Sequence, residues 1–368
     1  MTVNYVQVNA NDYDSKLLEA LALAQGPDVF IVKSGSLLKD RAKLTPVPAA
    51  KFGLANLRDS FPQVVEQDFV SGGKIYALPL YLDTLALLYN KDFFDQASIV
   101  YPPQTWDEFQ TDVQLLRQVD ESGNVFRAGA AMGGSGRTIE AAGDILSMLM
   151  LQNGTKMVSD DLREAVFGAD GPRGQGAQSL NFYTQFSNLA SKFYTWNEGM
   201  SEAFGSFSSG KAAMTLGYAK NLSAVKKKNP FLNLGIAPAP QVNKDAALTY
   251  ASYDAFGVSK RSAYQTAAWD FVVYAATNLN SARAYYKETK KPPALKKLIA
   301  ELINDPEGQV FARQALTARS WPRVDDAAAR NIFSDAIFDV ITSKSDAREA
   351  LSRAQERVTR LLRDRAGK

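Results

Sequence analysis

The chain of 368 residues contains no histidine and no cysteine. These absences exclude His-dependent catalytic triads, thiol nucleophiles, disulfide bonds and zinc sites built from thiolate or imidazole ligands. Histidine is also the usual proton carrier near neutral pH, so acid–base catalysis would depend on carboxylates, lysine, serine or tyrosine. We expect no metal, no cofactor and no catalytic residue.

Long apolar runs and a large excess of one charge are also missing. The longest apolar runs are far shorter than the roughly 20 residues that a membrane-spanning helix needs. Lys and Arg number 42 against 39 Asp and Glu, and this small excess does not indicate a nucleic-acid partner. A chain of 368 residues is too long for one ordinary hydrophobic core, which predicts two lobes.

The stretch over residues 72–109 organises the rest of the chain. It reads GGKIYALPLYLDTLALLYNKDFFDQASIVYPPQTWDEF. Pro79 excludes one uninterrupted helix or central strand, so we predict two strands with a crossing at residues 81–84 between them. Asp83 lies in this crossing and needs a hydrogen-bond partner, because unpaired burial would cost several kcal/mol. That partner is either a backbone amide or a polar ligand.

Two helix starts follow in the same stretch. Asn90 can cap a short helix that has Asp92 in its first turn. Thr105, with Glu108 three residues later, predicts a capping box for the next helix.

The phrase GKIYALPLYLDTLALLYNKDFF, followed by PPQTWDEF, resembles the family 1 extracellular solute-binding proteins of bacterial ABC importers. Each further phrase is modest, but their order and spacing are specific. They lie near residues 14–32, 129–155, 204–218, 250–273 and 318–358. The resemblance implies an α/β, periplasmic-binding-protein-like fold with two lobes and three inter-lobe crossings. It also implies a non-enzymatic, hinged receptor like the maltose-binding proteins.

The same resemblance implies where the lobes lie and what they meet. Lobe 1 is expected at about residues 1–81 and 256–315, and lobe 2 at about 82–255 and 316–368. A carbohydrate ligand would occupy the cleft and close it by hinge motion. The expected protein partner is the membrane permease of an ABC importer. We expect a monomer outside the cytoplasm, either periplasmic or tethered to the outer face of the membrane.

Three aromatic residues are candidates for stacking on a sugar ring. Trp196 lies in an aromatic cluster at residues 193–197, and aromatic faces pack on the apolar face of a pyranose. Trp321 precedes Pro322, which favours a loop, and the resemblance puts this loop at the third crossing. Tyr218 follows a strand where the family often contacts ligand. Core packing is the alternative interpretation for both tryptophans, and a cluster at the surface is a further one for Trp196.

A second group of candidates carries hydrogen-bonding groups for hydroxyls. Ser34 and Ser36 follow a short buried strand, and in open α/β sheets ligands lie beyond such carboxyl ends. Ser135 belongs to the glycine-rich segment AGAAMGGSGR, which also fits a simple strand-to-helix turn. The remaining candidates lie at or near the three crossings, and for those at the first two crossings a structural hydrogen bond is the alternative. They are Asp83, Tyr253, Asp254 and Arg319.

Residues 205–212 nearly spell a phosphate-binding loop, GSFSSGKA. Ala212 stands where that loop needs serine or threonine, and a helix here precedes a strand instead of following one. We therefore predict no nucleotide site.

Two other functions stay open beside sugar capture. A glycoside hydrolase needs two carboxylates about 5–10 Å apart across the scissile bond, and Asp83 and Asp254 are the pair to consider. A receptor for another solute is the second. A polyamine would need a more acidic cleft and a phosphodiester a more basic one.

Alternation of apolar and polar residues predicts a strand at Val3–Val8. In the resembling family a strand and a helix precede this one, and a signal segment precedes those. We therefore expect that the first strand and helix of lobe 1 are missing from this chain. In the second part of lobe 1, periodicity predicts a helix over 262–277 with Ala267, Phe271 and Ala275 facing inward.

Overall fold

The computed structural model describes residues 2–10, 12–168 and 174–366. Helices and short strands alternate along the chain. The α-helices are Tyr13–Ala22, Leu37–Asp40, Leu54–Ser60, Gln63–Phe69, Lys91–Gln96, Trp106–Leu116, Ala142–Gln152, Gln175–Thr184, Ala203–Ser208, Ala219–Lys228, Gln265–Thr277, Leu279–Thr289, Lys296–Leu302, Gln309–Ala315, Asp326–Ile341 and Ala347–Ala366. Short 3-10 helices lie at Arg41–Lys43, Gln185–Ser187 and Lys244–Ala246. The strands are Val29–Lys33, Leu44–Thr45, Val70–Ser71, Lys74–Ile75, Ala77–Pro79, Ala86–Asn90, Gln118–Val119, Val125–Arg127, Met214–Gly217, Leu234–Pro238, Thr249–Tyr250, Asp254–Ser259 and Ala318–Arg319.

The two largest clusters of buried apolar side chains define two lobes. Lobe 1 packs around a cluster that includes Phe69, Leu78 and Trp269. Lobe 2 packs around a larger cluster that includes Phe109 and Leu146. The predicted two-lobed α/β fold is therefore what the structure has. The predicted residue boundaries of the lobes stay a prediction.

The main sheet of each lobe is built from antiparallel strands. In lobe 1, Asp254–Ser259 lies between Val29–Lys33 on one side and the short strands Leu44–Thr45 and Ala77–Pro79 on the other. In lobe 2, Ala86–Asn90 is the central strand, and its neighbours are Leu234–Pro238 and Met214–Gly217. The two central strands follow the first two crossings, so each sheet is built directly on a connection between the lobes.

The chain passes between the two clusters at three places, which we call the crossing ribbon: residues 82–85, 250–253 and 318–321. Leu82, Ala251 and Ala318 belong to the lobe 1 cluster, whereas Leu85, Tyr250 and Trp321 belong to that of lobe 2. Backbone hydrogen bonds join the three segments side by side. They run from Leu85 N to Tyr250 O (3.0 Å), from Ser252 N to Asp83 O (3.0 Å) and from Ala251 N to Arg319 O (2.9 Å).

Local capping signals in the sequence are confirmed. The Asn90 side chain accepts a hydrogen bond from Asp92 N (3.0 Å), and Lys91–Gln96 forms the short helix. Thr105 and Glu108 exchange the two hydrogen bonds of a capping box at the start of Trp106–Leu116. Both caps depend only on residues close in sequence, which explains why the sequence predicts them well.

Two local predictions are wrong. Residues 3–8 form no strand, and Tyr5 and Val6 are 82% and 78% exposed. Alternation gives a segment strand propensity, but a strand also needs a pairing partner, and among the described residues this segment has none. The helix over 265–277 is present, but its buried stripe is shifted by one position and contains Ala268, Trp269, Val272 and Ala276.

Within the described part of the chain, none of the helices is long and apolar enough to cross a membrane.

Candidate functional site

A small cavity of about 30 Å³ lies between the two lobes. Its walls are unusually rich in charged side chains from both lobes. The lining residues are Tyr13, Asp14, Ile31, Lys33, Ser36, Lys39 and Asp40 from lobe 1 and Asp325, Asp326 and Ala327 from lobe 2. A volume of this size holds about one or two water molecules, so in this conformation the lobes lie close together.

Lys33 lines this cavity and differs from the other lysine there in its hydrogen bonding. It ends the strand Val29–Lys33 and lies opposite Asp254 in the sheet. Among the described residues its ammonium group has no hydrogen bond and no ion pair, although it is half-buried. Lys39, in contrast, pairs with Asp14. A half-buried ammonium group with free donors is suited to hydrogen-bond a polar ligand.

A network of two buried charges, Arg323 and Asp144, and two half-buried ones, Asp326 and Arg330, lies at the cavity in lobe 2. The Arg323 guanidinium is 2.7 Å from Asp326 and 3.5 Å from Asp144, and that of Arg330 is 3.3 Å and 3.1 Å from the same two carboxylates. Burial alone would raise the pKa of Asp326, but Arg323 and Arg330, and more weakly Lys33, lower it below its usual value. The network has no net charge, so it fixes the wall of the cleft without favouring an anion.

The Asp83 carboxylate is buried and is hydrogen-bonded to backbone amides. Its carboxylate accepts hydrogen bonds from the amides of Thr84 (2.9 Å), Ala219 (2.9 Å) and Lys220 (3.1 Å). The sequence left open whether Asp83 bonds to a backbone amide or to a polar ligand, and the structure shows backbone amides. The two lobe 2 amides open the helix Ala219–Lys228, so Asp83 ties the first crossing to that helix. Burial raises the pKa of Asp83 to about 6, although these amides oppose the shift.

Tyr218 and Tyr253 are also buried, and each donates its hydroxyl to a carboxylate. Tyr218 Oη is 2.8 Å from Asp144, and Tyr253 Oη is 2.7 Å from Asp68. Ser34 Oγ accepts from the Tyr253 amide at 3.2 Å. Tyr253 lies in the crossing ribbon and Tyr218 and Ser34 lie next to it, but the polar atoms of all three are engaged with the protein.

Ser135 and Trp196 lie together in the interior of lobe 2. Ser135 donates its amide (2.7 Å) and its hydroxyl (3.0 Å) to Glu198. Trp196 is 1% exposed, and its Nε1 donates to Thr138 Oγ1 at 3.1 Å. The surroundings of both residues are those of structural side chains, and their ligand contacts stay a prediction.

Trp321 lies in the lobe 2 cluster with 1% of its surface exposed. Its ring packs against Phe167 and Phe333, with centroids 6.3 Å and 5.8 Å away. Its Nε1 donates to Ser147 Oγ at 3.1 Å. A stacking platform needs a face open to the cleft, and this ring is covered by protein, so its surroundings favour a packing role.

Three of the predicted residues either line the cavity or are partly exposed. Ser36 lines the cavity. Asp254 is half-buried and accepts a hydrogen bond from Tyr81 Oη at 2.6 Å. Arg319 is half-buried in the crossing ribbon, with its guanidinium 2.9 Å from the Ala318 carbonyl. These three are the members of the predicted set that fit a direct ligand contact best.

The loop at residues 33–36 packs against the third crossing. Gly35 has φ of +72°, and a Cβ there would lie 2.6 Å from the Trp321 carbonyl oxygen. Its own carbonyl accepts the Arg323 amide. Only glycine fits this left-handed and crowded position without strain.

Sequence reasoning missed several residues of the site. Lys33 directly precedes Ser34, yet only Ser34 and Ser36 of this loop were predicted to contact a ligand. Asp325 caps the helix Asp326–Ile341 through a bond from the Ala328 amide at 3.0 Å, a pattern that was readable from its sequence. Nothing local marked Asp144 or Arg323, because their partners come from distant segments.

Two α/β lobes joined by three crossings, with a charged cavity between them, define the class of hinged, two-lobed binding proteins. The chain belongs to the bacterial extracellular solute-binding protein family, whose model matches residues 2–280. This confirms the resemblance seen in the sequence. The family is extracellular by description.

Individual relatives are distant. A galactooligosaccharide-binding protein of Bacillus subtilis is 24% identical over 296 residues, which cover 77% of this chain and 65% of that protein. A probable ABC transporter-binding protein of Deinococcus radiodurans is 25% identical and covers 98% of this chain and 86% of that protein. The match to two curated Brucella abortus proteins spans 63% of their length.

Solved structures agree on the fold. The sugar-binding protein MalE from Xanthomonas citri has a TM-score of 0.77 at 19% identity, covering 98% of this chain and 90% of that chain. A cyclo/maltodextrin-binding protein complexed with maltotetraose has a TM-score of 0.76 at 20% identity, covering 96% and 88%. At these identities the likeness shows a shared fold.

Proposed function

We propose that this protein captures a sugar or oligosaccharide in the cleft between its lobes and delivers it to the permease of an ABC importer. The observation that carries the proposal is the charged inter-lobe cavity, in which Lys33 has free donors. Family membership supports it, as do relatives named for galactooligosaccharide, maltotriose and maltodextrin binding.

Charged side chains suit sugar hydroxyls because each hydroxyl both donates and accepts hydrogen bonds. Lys33 would donate hydrogen bonds and Asp254 would accept them. Arg319 of the crossing ribbon and Ser36 of the loop at residues 33–36 would form further hydrogen bonds to the sugar. A site built this way rejects analogues that lack the matching hydroxyl, because its buried polar groups would then be unpaired. Opening of the lobes about the crossing ribbon would admit the ligand, since the cavity in this conformation is small.

The place of action follows from the family. We propose a location outside the cytoplasm, periplasmic or tethered to the outer face of the membrane, with the protein acting as a monomer. A glycoside hydrolase would need Asp83 as one of its two carboxylates. The Asp83 carboxylate already accepts hydrogen bonds from three backbone amides, which argues against this function. Incubation with aryl glycosides is expected to release no aglycone.

A thermal-shift screen over mono- and oligosaccharides tests the function. A sugar present at 100 times its dissociation constant is expected to stabilise the folded protein by about 2.7 kcal/mol. Spermidine and glycerophosphodiesters serve as comparison ligands in the same plate. Stabilisation by one of these, with none by any sugar, would contradict sugar capture and favour a receptor for another solute.

Replacing Lys33 by glutamine is expected to weaken sugar binding about tenfold or more, because a hydrogen bond from a charged group is worth roughly 1.5–3 kcal/mol. Stability should hardly change, since the ammonium group has no partner in the protein. Titration calorimetry measures the affinity. Lys74→Gln, at an exposed hairpin position of lobe 1, is the matched control and should bind like the original protein. Equal affinity of the two variants would remove Lys33 from the site.

A further inference from the structure

Asp68 connects lobe 1 to two of the three crossings at once. It lies on the lobe 1 helix Gln63–Phe69 and is 3% exposed. One carboxylate oxygen accepts from Tyr253 Oη of the second crossing at 2.7 Å, and the other accepts from Ser320 Oγ of the third crossing. Gln67 adds a bond from its Nε2 to the Ser320 carbonyl at 2.7 Å. A single buried carboxylate thus joins two segments that are 67 residues apart in sequence (320 − 253 = 67).

The surroundings of Asp68 make this connection specific. Phe69 packs edge-on against the Tyr253 ring, with centroids 5.6 Å apart. The Gly35 amide and the Arg323 charge also face the carboxylate. A buried acceptor that loses a donor pays a desolvation cost of about 1–3 kcal/mol, so bending that separates Asp68 from either hydroxyl is opposed.

Asp83 provides the corresponding connection on the other side of the ribbon. Its carboxylate holds the first crossing to the lobe 2 helix Ala219–Lys228. Near the two aspartates, the ribbon segments bond to each other through their backbones. Asp68 and Asp83 therefore each hold ribbon segments to a neighbouring helix, as long as both carboxylates keep their partners.

We propose that Asp68 is a positioning residue that sets the resting angle between the lobes and thereby the affinity for ligand. It does so without touching the ligand, by holding the second and third crossings on lobe 1. The part that concerns affinity rests on the proposed function, whereas the part that concerns the angle does not. When this connection is weakened, the free protein samples more lobe angles, and a smaller fraction of it is ready to bind.

The angle is measured in the free protein by electron–electron double resonance between two spin labels. The chain has no cysteine, so Lys74→Cys in lobe 1 and Glu121→Cys in lobe 2 can be labelled alone, and both positions are exposed. Ser320→Ala and Tyr253→Phe each remove one donor, and Asp68→Ala removes both connections. Each is expected to broaden the distance distribution, with Asp68→Ala giving about a twofold increase in width.

Asp112→Asn is the matched control. Asp112 is also a buried carboxylate, 8% exposed, but it lies on the lobe 2 helix Trp106–Leu116. It should keep the original distribution. Broadening in this control as large as that in Ser320→Ala would overturn the proposal, because loss of any buried polar group would then have the same effect.

A second outcome would also overturn it: folded Ser320→Ala and Tyr253→Phe proteins with unchanged distributions. These two mild variants decide the matter if Asp68→Ala does not fold. Sugar affinity is measured separately, and Ser320→Ala is expected to weaken it about threefold to tenfold. If the screen finds no sugar, the proposed function fails, and the distance measurements still test the role of Asp68.

Discussion

Replacing Trp321 by alanine is expected to lower the free energy of unfolding by about 3–5 kcal/mol, as for other large buried aromatic residues. The ring is 1% exposed and packs against both Phe167 and Phe333, so its removal leaves a cavity in the core of lobe 2. The substitution also leaves Ser147 Oγ without the indole donor. Urea unfolding followed by circular dichroism measures the change.

Phe231→Ala is the control for this experiment. Phe231 is an aromatic residue of lobe 2 that is 94% exposed, and its truncation should change stability by less than about 0.5 kcal/mol. Sugar affinity of the folded Trp321→Ala protein is measured in parallel. If stability is kept and affinity falls tenfold, the stacking role predicted from the sequence is right and the packing role is wrong.

Replacing Asp83 by alanine is expected to cost about 2–4 kcal/mol, because it removes a helix cap and leaves buried amides without an acceptor. The amides of Thr84, Ala219 and Lys220 lose their partner together. Glu202→Ala is the matched control. Glu202 also caps a lobe 2 helix, through the amides of Phe204 and Gly205, but it is exposed, so water can replace it. A loss in Asp83→Ala no larger than in this control would show that the burial of the cap is unimportant.

The same variant has a predicted pH dependence. Burial raises the pKa of Asp83 to about 6 in the folded protein, whereas an unfolded aspartate titrates near its ordinary value of about 3.9. Between these values the folded state takes up a proton that the unfolded state releases, so the original protein gains stability as the pH falls from about 6 to 4. Asp83→Ala lacks this gain. Its deficit should therefore grow on acidification, and a deficit that shrinks would contradict the raised pKa.

Local signals carried much of the fold prediction. The caps at Asn90 and Thr105 involve residues no more than three positions apart, so their hydrogen bonds form wherever the segment folds. Pro79 separates two strands because its ring fixes the backbone angle φ and removes the backbone N–H donor. The helix over 265–277 shows the limit of such signals. The helical period could be predicted from the sequence. Which side of the helix faces the core depends on the segments that pack against it, and the structure buries Trp269 instead of the predicted Phe271.

The amino-acid sequence by itself determined the family, the two lobes and the absence of thiol and imidazole chemistry, because composition and ordered local phrases are enough for these. Tertiary structure decided which side chains remain available to a ligand. Asp83 meets amides 136 and 137 positions away, Asp68 meets Ser320 252 positions away, and Trp321 is covered by helices of lobe 2. Burial and long-range partners depend on which segments meet in space. For this reason Asp83 and Asp68 hydrogen-bond to distant segments and Trp321 packs in the core, whereas the Lys33 ammonium group has no hydrogen bond among the described residues.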